Sequence, residues 1–380
     1  MIEDGILFHK KYKNLKVGLW VMADYNLKEI IGKFDVTEGA VPYGKGHIND
    51  TYLSSVTDPR FILQKVNGNV FKRPQDVMEN IIRVTAHLKK KIIEEGGDFR
   101  RETLNLIKTY DGEYYYVTPK GDYFRMYEFI EGARTYEIVE KPIHFYNAAK
   151  AFAKFQKRLA DFPADKLHET IPSFHDTPVR FQQLKTAIAH DAAGRLHTVQ
   201  AEVEFALARE KDVSVIVDAI KDGSVPLRVT HNDTKYNNVM IDDKTGEGIC
   251  VIDLDTVMPG SLLYDYGDSL RFGTNPAEED EKDLSKVYCD LELFEQFTKG
   301  FMEELKSTMT PREKELMPFS AKLMTYECGI RFLADYLNGD IYFKVKREEH
   351  NLDRCRTQFK LVQDMEEKEP IMKEIVKKYD

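Results

Sequence analysis

The sequence predicts an α+β fold in two lobes, with an antiparallel sheet and one helix in the N-terminal lobe and a larger, mostly helical C-terminal lobe. Three observations predict it. Short runs of β-branched and aromatic residues, separated by turns that contain Gly and Asp, dominate the first third of the chain. One helical pattern interrupts these runs, and helical spacing dominates after residue 132. We therefore place residues 1–130 in the N-terminal lobe and residues 131–380 in the C-terminal lobe.

The N-terminal lobe is predicted to contain a β-meander and one long helix. The strands are predicted at residues 52–56, 61–66, 103–107, 113–117 and 123–127. Asp-Gly at residues 111–112 and Gly-Asp at residues 121–122 are typical of the hairpin turns between the last three strands. Apolar residues at three- and four-residue spacing predict a helix over residues 77–93, and Gly-Gly at residues 96–97 ends it.

The C-terminal lobe is predicted to combine one hairpin with several helices. Apolar strands at residues 239–241 and 249–252 flank a turn rich in Gly and Asp, and a short extended run precedes them at residues 227–229. Helices are predicted at residues 145–159, 181–192, 293–305 and 312–337. Residues 368–380 form a charged tail that need not be ordered for function.

The most informative pattern is His231-x-Asp233-x-x-x-x-Asn238, followed by Asp253 after the predicted hairpin. It matches the arrangement in which an Asp accepts a hydroxyl proton and an Asn binds Mg²⁺ during phosphoryl transfer. Mg²⁺ takes hard oxygen ligands and usually only one or two protein carboxylates. We therefore predict Asp233 as the catalytic base and Asn238 and Asp253 as metal ligands, whereas His231 orients the loop backbone. Taken singly, each could be an ordinary turn residue.

Two further acidic residues follow this pattern. Asp255 is included as a metal ligand, although it could instead contact the acceptor or only cap the turn before Pro259. Asp265, within the stretch Tyr-Asp-Tyr-Gly-Asp, is predicted to stabilise the loop after the metal site.

Longer stretches around these residues resemble a known family. Residues 231–240 (HNDTKYNNVM) are similar to the signature of the aminoglycoside phosphotransferase and choline kinase superfamily, relatives of the protein kinases that phosphorylate small molecules. Within that superfamily, the chain looks like the N-acetylhexosamine 1-kinases at residues 174–178, 231–240, 251–260, 263–271 and 327–343. The resemblance runs from about residue 39 to residue 343 and implies a protein-kinase-like fold.

The resemblance also implies an activity and its ligands. Such kinases use ATP and Mg²⁺ to phosphorylate the anomeric hydroxyl of N-acetylglucosamine or N-acetylgalactosamine, which gives the sugar 1-phosphate. It implies that His47, Arg331 and Tyr342 bind the sugar beside Asp233. On the residues alone, His47 is a turn residue, and the four-residue spacing of Arg331 and Asp335 favours a salt bridge within one helix.

The nucleotide site is predicted in the N-terminal lobe. Lys65 on a strand and Glu79 in the first turn of the following helix match a pair in which the ammonium neutralises phosphates and the carboxylate fixes its position. The alternative is that Lys65 is an exposed strand residue and that Glu79 only stabilises the helix N-terminus.

Two backbone segments are also predicted to contact the nucleotide. A hinge at about residues 127–132 would hold the adenine, with Tyr127, Phe129 and Ile130 as its contacts; apart from the fold analogy these are simply strand residues. The glycine-bearing turn at residues 44–46 could cover the phosphates, because backbone amides approach phosphate oxygens closely. A bare Gly-x-Gly is a weak signal, and the chain has no P-loop motif.

Composition argues against several other classes of protein. The net charge of −9 argues against a nucleic-acid partner, whose binding needs clustered Lys and Arg. No apolar run approaches the length of a membrane span and the first residues lack a secretory signal, so we expect a cytoplasmic protein without membrane contact. Four scattered cysteines indicate neither a zinc site nor a disulfide framework. We expect a monomer that acts on a small-molecule sugar.

Two alternatives stay open on the sequence. The same chemistry could act on another small hydroxyl acceptor, such as choline, homoserine, a thioribose or an aminoglycoside. The chain could also be a catalytically silent, kinase-like binding protein. The intact set of Asp233, Asn238 and Asp253 argues against this second alternative, since a binding module does not need a base opposite a metal ion.

Overall fold

The computed structural model describes residues 25–34, 36, 39–44, 48–54 and 59–380. Its strands are β1 (Ala40–Pro42), β2 (Asp50–Ser54), β3 (Phe61–Lys65), β4 (Tyr116–Val117), β5 (Tyr123–Glu128), β6 (Ala133–Arg134), β7 (Arg228–Thr230), β8 (Val239–Asp242), β9 (Gly248–Val251) and β10 (Met258–Gly260). Its helices are α1 (Leu27–Ile31), α2 (Pro74–Glu94), α3 (Phe99–Glu102), α4 (Pro142–Arg158), α5 (Thr177–His190), α6 (Gln200–Leu207), α7 (Val215–Lys221), α8 (Leu262–Gly273), α9 (Leu291–Leu305), α10 (Pro311–Leu337) and α11 (His350–Tyr379). A sheet dominates the N-terminal part and helices dominate the C-terminal part, which confirms the predicted α+β class.

The N-terminal sheet is antiparallel throughout, with the strand order β1-β2-β3-β5-β4. Successive side chains of a strand point to opposite faces of a sheet. Leu63 of β3 is paired with Met126 of β5, and both pack against α1 on one face. Gln64 is paired with Arg125, so these two side chains occupy the opposite face, which is turned toward the C-terminal part. The face on which a residue lies therefore decides what it can contact.

Helix α2 fixes the sheet to the C-terminal part. Pro74 occupies the first turn, where its missing N–H is tolerated, and a stripe of buried apolar residues follows at helical spacing. The side-chain amide of Asn80 donates to the carbonyl oxygens of His168 at 2.8 Å and Val257 at 3.0 Å. The helix is thereby attached to the segment between β9 and β10.

Two small antiparallel sheets hold the segment from residue 228 to residue 260. Strands β8 and β9 form the predicted hairpin, with β6 on its edge, and β7 pairs with β10. Because β7 ends at Thr230 and β8 begins at Val239, residues 231–238 cross from one sheet to the other. We call residues 231–238 the active-site loop.

The helices of the C-terminal part enclose the main hydrophobic core. Helix α10 packs against α5, α8 and α11, and α9 packs against α4. Most of the charged tail predicted at residues 368–380 belongs to α11, in which Met372 and Val376 are buried. Two apolar residues four positions apart share one helix face, which leaves the charged residues on the other. None of the helices in the described ranges is long and apolar enough to cross a membrane.

The predicted strand at residues 103–107 does not form. Only Leu106 makes an isolated bridge, to Tyr127, and the predicted strand at residues 113–117 shrinks to β4. The amide of Asn105 donates to the carbonyl oxygens of Phe99 at 3.1 Å and Thr103 at 3.0 Å. Such local side-chain hydrogen bonds compete with a strand ladder, which explains the difference.

Gly267 allows α8 and α10 to approach closely. A Cβ atom at this position would lie 2.5 Å from the carbonyl oxygen of Ser320. We predict that Gly267→Ala lowers the free energy of unfolding by about 1–3 kcal/mol, because the added methyl pushes the two helices apart. Urea denaturation measures this change. Gly68→Ala is the control, since nothing lies within 4 Å of its added Cβ; an equal loss of stability in both variants would contradict the close packing.

Candidate active site

The active-site loop brings three of the proposed site residues together. The β8–β9 ladder continues beyond both strands, because the N–H of Ile252 donates to the carbonyl oxygen of Asn238 at 2.9 Å. Asn238 and Asp253 therefore lie at the same end of the hairpin. The side-chain nitrogen of Asn238 lies 2.8 Å from the carbonyl oxygen of Asp233 and 3.4 Å from its Oδ2. The structure thus gathers Asp233, Asn238 and Asp253 at one place.

The imidazole of His231 connects the loop to the hairpin. Its Nε2 donates to the carbonyl oxygen of Ile252 at 2.8 Å, and its Nδ1 accepts from the N–H of Asp233 at 3.3 Å. This pair of bonds requires the neutral tautomer with its proton on Nε2. The ring also packs edge-on against Phe152 and Phe155. Because both hydrogen bonds are to backbone groups, His231 orients the loop rather than moving protons.

Asp265, at the start of α8, holds the loop backbone. Its carboxylate accepts the N–H of His231 at 2.9 Å and the N–H of Asn232 at 2.7 Å, while the amide of Gln156 donates to it from α4. Asn232 has a φ of 65°, in the left-handed region that few side-chain-bearing residues adopt. Its side-chain amide donates to the carbonyl oxygen of Thr256 at 2.9 Å. The loop is thereby tied to the turn after β9.

A buried ion pair supports the loop from the opposite side. The Nδ1 of His175 lies 2.9 Å from Glu327 Oε1, and its Nε2 lies 2.9 Å from the carbonyl oxygen of Asn232. Burial favours the neutral ring, but the facing Glu327 carboxylate outweighs it and raises the pKa of His175. Burial likewise opposes ionisation of Glu327, but His175 lowers its pKa below the usual value. Both ring nitrogens face acceptors, so the group is an imidazolium.

Lys235 is a site residue that the sequence analysis missed. Its Nζ lies 2.9 Å from Asp233 Oδ1. Burial works against ionisation of Asp233, but the adjacent ammonium lowers the pKa of this carboxyl group. Asp233 is therefore a carboxylate at neutral pH. The signal that could have identified Lys235 is its position two residues after the Asp, since alternate residues of an extended segment point the same way.

Asp253 occupies the turn that follows β9, with a φ of 61°. Burial of the carboxyl group, together with the charges of Asp255 and Asp233, raises the pKa of Asp253 to about 6. Its side chain nevertheless reaches solvent on the open side of the site. Like charges that face one another in this way favour either a proton or a cation between them.

The donor atoms present fit Mg²⁺. Because the amide nitrogen of Asn238 is turned toward Asp233, its Oδ1 is the atom of this group that can bind a cation. Mg²⁺ characteristically uses one or two carboxylates and completes its shell with water and phosphate oxygens. Within the described ranges, no group of three or more His, Cys, Asp or Glu side chains could hold a metal ion by itself. One amide oxygen and the Asp253 carboxylate therefore suit a nucleotide-bound Mg²⁺ and do not suit zinc.

Asp255 lies elsewhere than the prediction placed it. Its Oδ1 is 2.5 Å from Nη1 of Arg125, and its Oδ2 accepts from the side-chain amide of Asn49 at 2.6 Å. Both carboxylate oxygens are engaged and the side chain is buried, so this geometry does not support a metal ligand. The prediction differs from the structure because Asp255 pairs with Arg125, a buried cation on the N-terminal sheet, and the spacing of the acidic residues does not indicate this pairing.

The predicted pair of Lys65 and Glu79 does not form. Lys65 lies on the face of β3 that packs against α1, with its Nζ 2.9 Å from Asp122 Oδ1. Glu79 lies in the second turn of α2, not the first, and its Oε2 is 3.0 Å from Arg83 and 2.8 Å from His168. The pairing is wrong because the alternation of β3 turns Lys65 away from the sheet face on which α2 packs.

The three residues predicted to form the hinge, Tyr127, Phe129 and Ile130, differ in burial. Ile130 is buried and packs with apolar residues of the β8–β9 hairpin, including the half-buried Ile252. The Phe129 ring is half-buried and stands edge-on to Tyr43, with 6.3 Å between the ring centroids. Tyr127 is fully buried, on the sheet face that is turned toward the C-terminal part. Ile130 therefore belongs to the core, whereas the Phe129 ring lies next to the hairpin with the Arg60 guanidinium 4.1 Å from its centroid.

Arg331 and Tyr342 are neighbours on the C-terminal part. The Arg331 guanidinium lies 5.9 Å from the ring centroid of Tyr342 and 5.3 Å from that of Phe174. Asp335 does not form the expected salt bridge with Arg331. Its carboxylate instead accepts the N–H groups of residues 341–343 at 3.0, 2.8 and 2.9 Å. Asp335 therefore holds the exposed loop that presents Tyr342 beside Arg331.

Buried contacts connect the surroundings of Arg331 to the active-site loop. Arg331 follows Glu327 by one turn of α10, and Glu327 holds His175 against the carbonyl oxygen of Asn232. Arg331 thus lies one helical turn from a residue that supports the loop. His47, the remaining predicted sugar contact, lies outside the described residues.

A known protein family matches most of the chain. The family described as the phosphotransferase enzyme family matches residues 39–304. This match contains the N-terminal sheet from β1 onward, the active-site loop and the turn that carries Asp253. It ends before α10, so Arg331 and Tyr342 lie beyond it.

Solved structures with the same fold include kinases of several small molecules. A microcompartment-associated aminopropanol kinase has a TM-score of 0.63 at 15% identity, covering 91% of this chain and 97% of that chain. An ethanolamine kinase of Plasmodium vivax has a TM-score of 0.55 at 14% identity, covering 94% of each chain. The GDP complex of aminoglycoside 2'-phosphotransferase-IIIa has a TM-score of 0.57 at 12% identity, covering 87% of this chain and 96% of that chain. At these identities the likeness shows a shared fold.

Removing the acid of the buried pair provides a pH-dependent test. We predict that Glu327→Gln lowers the free energy of unfolding by about 3 kcal/mol, because it leaves the His175 charge buried without its partner. The raised pKa of His175 and the lowered pKa of Glu327 mean that the pair contributes fully from about pH 4.5 to about pH 6.5. The contribution is lost as pH rises through the pKa of His175 in the folded protein. Urea denaturation of both proteins from pH 5 to pH 9 measures the difference, and a difference that grows toward pH 9 would contradict the assignment.

Proposed function

Because this chain belongs to the phosphotransferase enzyme family, we propose that it transfers the γ-phosphoryl group of ATP to the anomeric hydroxyl of an N-acetylhexosamine and releases the sugar 1-phosphate. The observation that carries the proposal is the gathering of Asp233, Asn238 and Asp253 on one loop and one hairpin end. The likeness of residues 327–343 to N-acetylhexosamine 1-kinases supplies the choice of acceptor.

Asp233 would orient the acceptor hydroxyl and receive its proton. Its Oδ1 is occupied by Lys235, so Oδ2 is the oxygen that can meet the hydroxyl. A carboxylate with a lowered pKa is a weak base, but phosphoryl transfer through a loose transition state depends mainly on positioning. The anomeric hydroxyl is also the most acidic hydroxyl of a sugar, which suits a weak base.

Asn238 and Asp253 would hold the metal on the nucleotide side of Asp233. When bound, Mg²⁺ would supply positive charge that neutralises the phosphates. The raised pKa of Asp253 supports this role, because a cation beside it would relieve the repulsion from Asp233 and Asp255. The purine ring would lie beside residues 127–132, where main-chain groups could bond it. The nucleotide in the related phosphotransferase structure, GDP, supports a purine donor.

Arg331 and Tyr342 would select the sugar. A guanidinium fork and a phenol can together bind several hydroxyl groups or an acetamide carbonyl. The Tyr342 side chain is 60% exposed, and within the described part of the chain no hydrogen-bond partner occupies the Arg331 guanidinium, so both groups are available to a ligand.

The kinases with this fold also act on aminopropanol and ethanolamine, which makes an amino alcohol the nearest alternative acceptor. A cationic amine is normally held by aromatic faces. Here the rings of Phe174, Tyr342 and Phe343 already surround the Arg331 guanidinium at 5.3–5.9 Å. A second cation at this place would be repelled, so the geometry favours a neutral, hydroxyl-rich acceptor.

Asp233→Asn tests the catalytic base. We predict that this variant lowers kcat with N-acetylglucosamine or N-acetylgalactosamine by about 10²- to 10⁴-fold, because it removes the proton acceptor. Magnesium-dependent ADP release with a panel of sugars and amino alcohols measures the activity. Asp243→Asn is the matched control, since Asp243 lies on the hairpin turn and pairs with Arg134 away from the site.

Phosphorus NMR of the product distinguishes an anomeric phosphate from a 6-phosphate. An anomeric phosphate formed only from N-acetylated hexosamines supports the proposal. Turnover of amino alcohols but not of sugars would rule out the N-acetylhexosamine acceptor and would still agree with phosphoryl transfer. Hydrolysis that is independent of any acceptor and unchanged in Asp233→Asn would reject the mechanism itself.

Arg331→Leu tests the acceptor site separately from the nucleotide site. We predict that it raises KM for the sugar roughly 10- to 150-fold, since a hydrogen bond to a charged group contributes about 1.5–3 kcal/mol. KM for ATP should stay unchanged. Arg312→Leu, at the exposed start of the same helix, is the control. An unchanged KM for the sugar, or an equal rise in KM for the sugar and for ATP, would contradict the assignment of Arg331 to the acceptor site.

A further inference from the structure

A buried arginine of the N-terminal sheet points at the turn that carries Asp253. Arg125 of β5 lies opposite Gln64 of β3, on the sheet face turned toward the C-terminal part. Only 1% of the Arg125 side chain is exposed, and its Nη1 lies 2.5 Å from Asp255 Oδ1. This is the only ion pair that links β1–β5 to the turn Leu254–Thr256 within the described ranges.

The guanidinium is oriented by neighbours from its own sheet. Its Nε and Nη2 donate to Gln64 Oε1 at 3.1 and 2.9 Å. The Tyr127 ring centroid lies 5.3 Å from the guanidinium carbon. Two nitrogens are thus fixed by Gln64, and the third, Nη1, is the one in contact with Asp255. An arginine held in this way has little rotamer freedom left and transmits the position of the sheet.

Asp255 is held as firmly on its remaining sides. Its Oδ2 accepts from Asn49, which precedes β2, at 2.6 Å, and its carbonyl oxygen accepts from Thr170 Oγ1 at 3.0 Å. The next residue, Thr256, donates through Oγ1 to the carbonyl oxygen of His231 at 2.7 Å and accepts from the Asn232 amide. The sheet, the Asp253 turn and the active-site loop therefore form one continuous set of contacts.

We propose that the Arg125–Asp255 pair positions Asp253 relative to the nucleotide site, and that Asp255 acts through this pair rather than as a metal ligand. The inference rests on the proposed function in taking Asp253 as the ligand of a nucleotide-bound Mg²⁺. This task differs from the one predicted for Lys65 and Glu79, which was to neutralise nucleotide phosphates and to fix the position of the lysine. Because Arg125 is almost completely buried, it is a positioning residue and does not contact the nucleotide in this conformation.

The location of Arg125 and Asp255 between the sheet and the Asp253 turn explains why they form an ion pair and not an apolar contact. A well-packed apolar pair of similar volume often gives equal or greater stability than a buried ion pair, so stability alone does not account for it. An ion pair whose partners are each held by further hydrogen bonds, here from Gln64 and Asn49, allows few arrangements, whereas an apolar contact tolerates sliding. Residues that orient metal ligands from the second layer typically affect metal affinity or activity by about 10- to 100-fold.

The test compares Arg125→Met, Asp255→Asn and the double variant. Isothermal titration calorimetry measures ADP binding with Mg²⁺ and with EDTA, and thermal unfolding reports stability. We expect each single variant to weaken Mg²⁺-dependent ADP binding by about 10- to 100-fold, with ADP binding in EDTA unchanged. The double variant should bind ADP with Mg²⁺ about as tightly as the single variant with the lower affinity, because both changes break the same contact. If Arg125→Met does not fold, Arg125→Lys replaces it, since lysine keeps the charge but not the fork.

A second ion pair in the same chain provides the control. Arg209 and Glu366 are joined by two hydrogen bonds, at 3.0 and 2.6 Å, far from the Asp253 turn. Arg209→Met should lower the unfolding temperature and leave Mg²⁺-dependent ADP binding unchanged. The same pattern in Arg125→Met would reduce the pair to a structural contact and overturn the proposal.

Two other outcomes would also overturn the proposal. Weaker Mg²⁺-dependent binding in Asp255→Asn, with normal binding in Arg125→Met, would make Asp255 a direct metal ligand. Equal weakening with and without Mg²⁺ in Arg125→Met would make Arg125 a direct nucleotide contact. Because the probes are ADP and Mg²⁺ alone, a failure of the sugar assay leaves these measurements interpretable.

Discussion

The geometry of the site depends on one buried carboxylate that holds two backbone amides. Asp265 accepts the N–H groups of His231 and Asn232, and Asn232 adopts a left-handed backbone conformation between β7 and the active-site loop. Leaving a buried amide without a partner costs about 1–3 kcal/mol, so the loop has no comparable alternative path. Since the Asn232 side chain also donates to the carbonyl oxygen of Thr256, the same constraint holds the turn that carries Asp253. The hydrogen bonds of Asp265 and Asn232 therefore position both the proposed base and the proposed metal ligands.

Local signals were sufficient to predict the parts of the fold that place the proposed base and metal ligands. The β8–β9 hairpin and helices α4, α5, α9 and α10 have observed bounds that differ from the predicted ones by a few residues, whereas α6, α7, α8 and α11 were not predicted. Asn238 and Asp253 could be placed together because each adjoins an end of a strand in that hairpin, and antiparallel pairing brings those ends together. No knowledge of distant contacts was needed for this step.

The contacts between distant segments could not be predicted from one sequence. Whether Lys65 or Gln64 faces the nucleotide side depends on the register of β3 with β5 and on which face α1 covers. Because side chains alternate along β3, Lys65 lies on the face that α1 covers, whereas its neighbour Gln64 lies on the opposite face and holds Arg125. The support of Glu327 for His175 joins residues 152 positions apart, and nothing local in either segment indicates it. Arg331 and Tyr342 were identified only through resemblance, because neither their spacing nor their residue types indicate a sugar site.

The most direct test of the central claim is a crystal structure with Mn²⁺ and a non-hydrolysable ATP analogue, in which anomalous scattering locates the metal. The account predicts a metal peak bound by the Asn238 side-chain oxygen and the Asp253 carboxylate, with Asp233 facing the γ-phosphate and Asp255 still paired with Arg125. A peak coordinated by Asp233 or Asp255, or one away from the hairpin end, would contradict it.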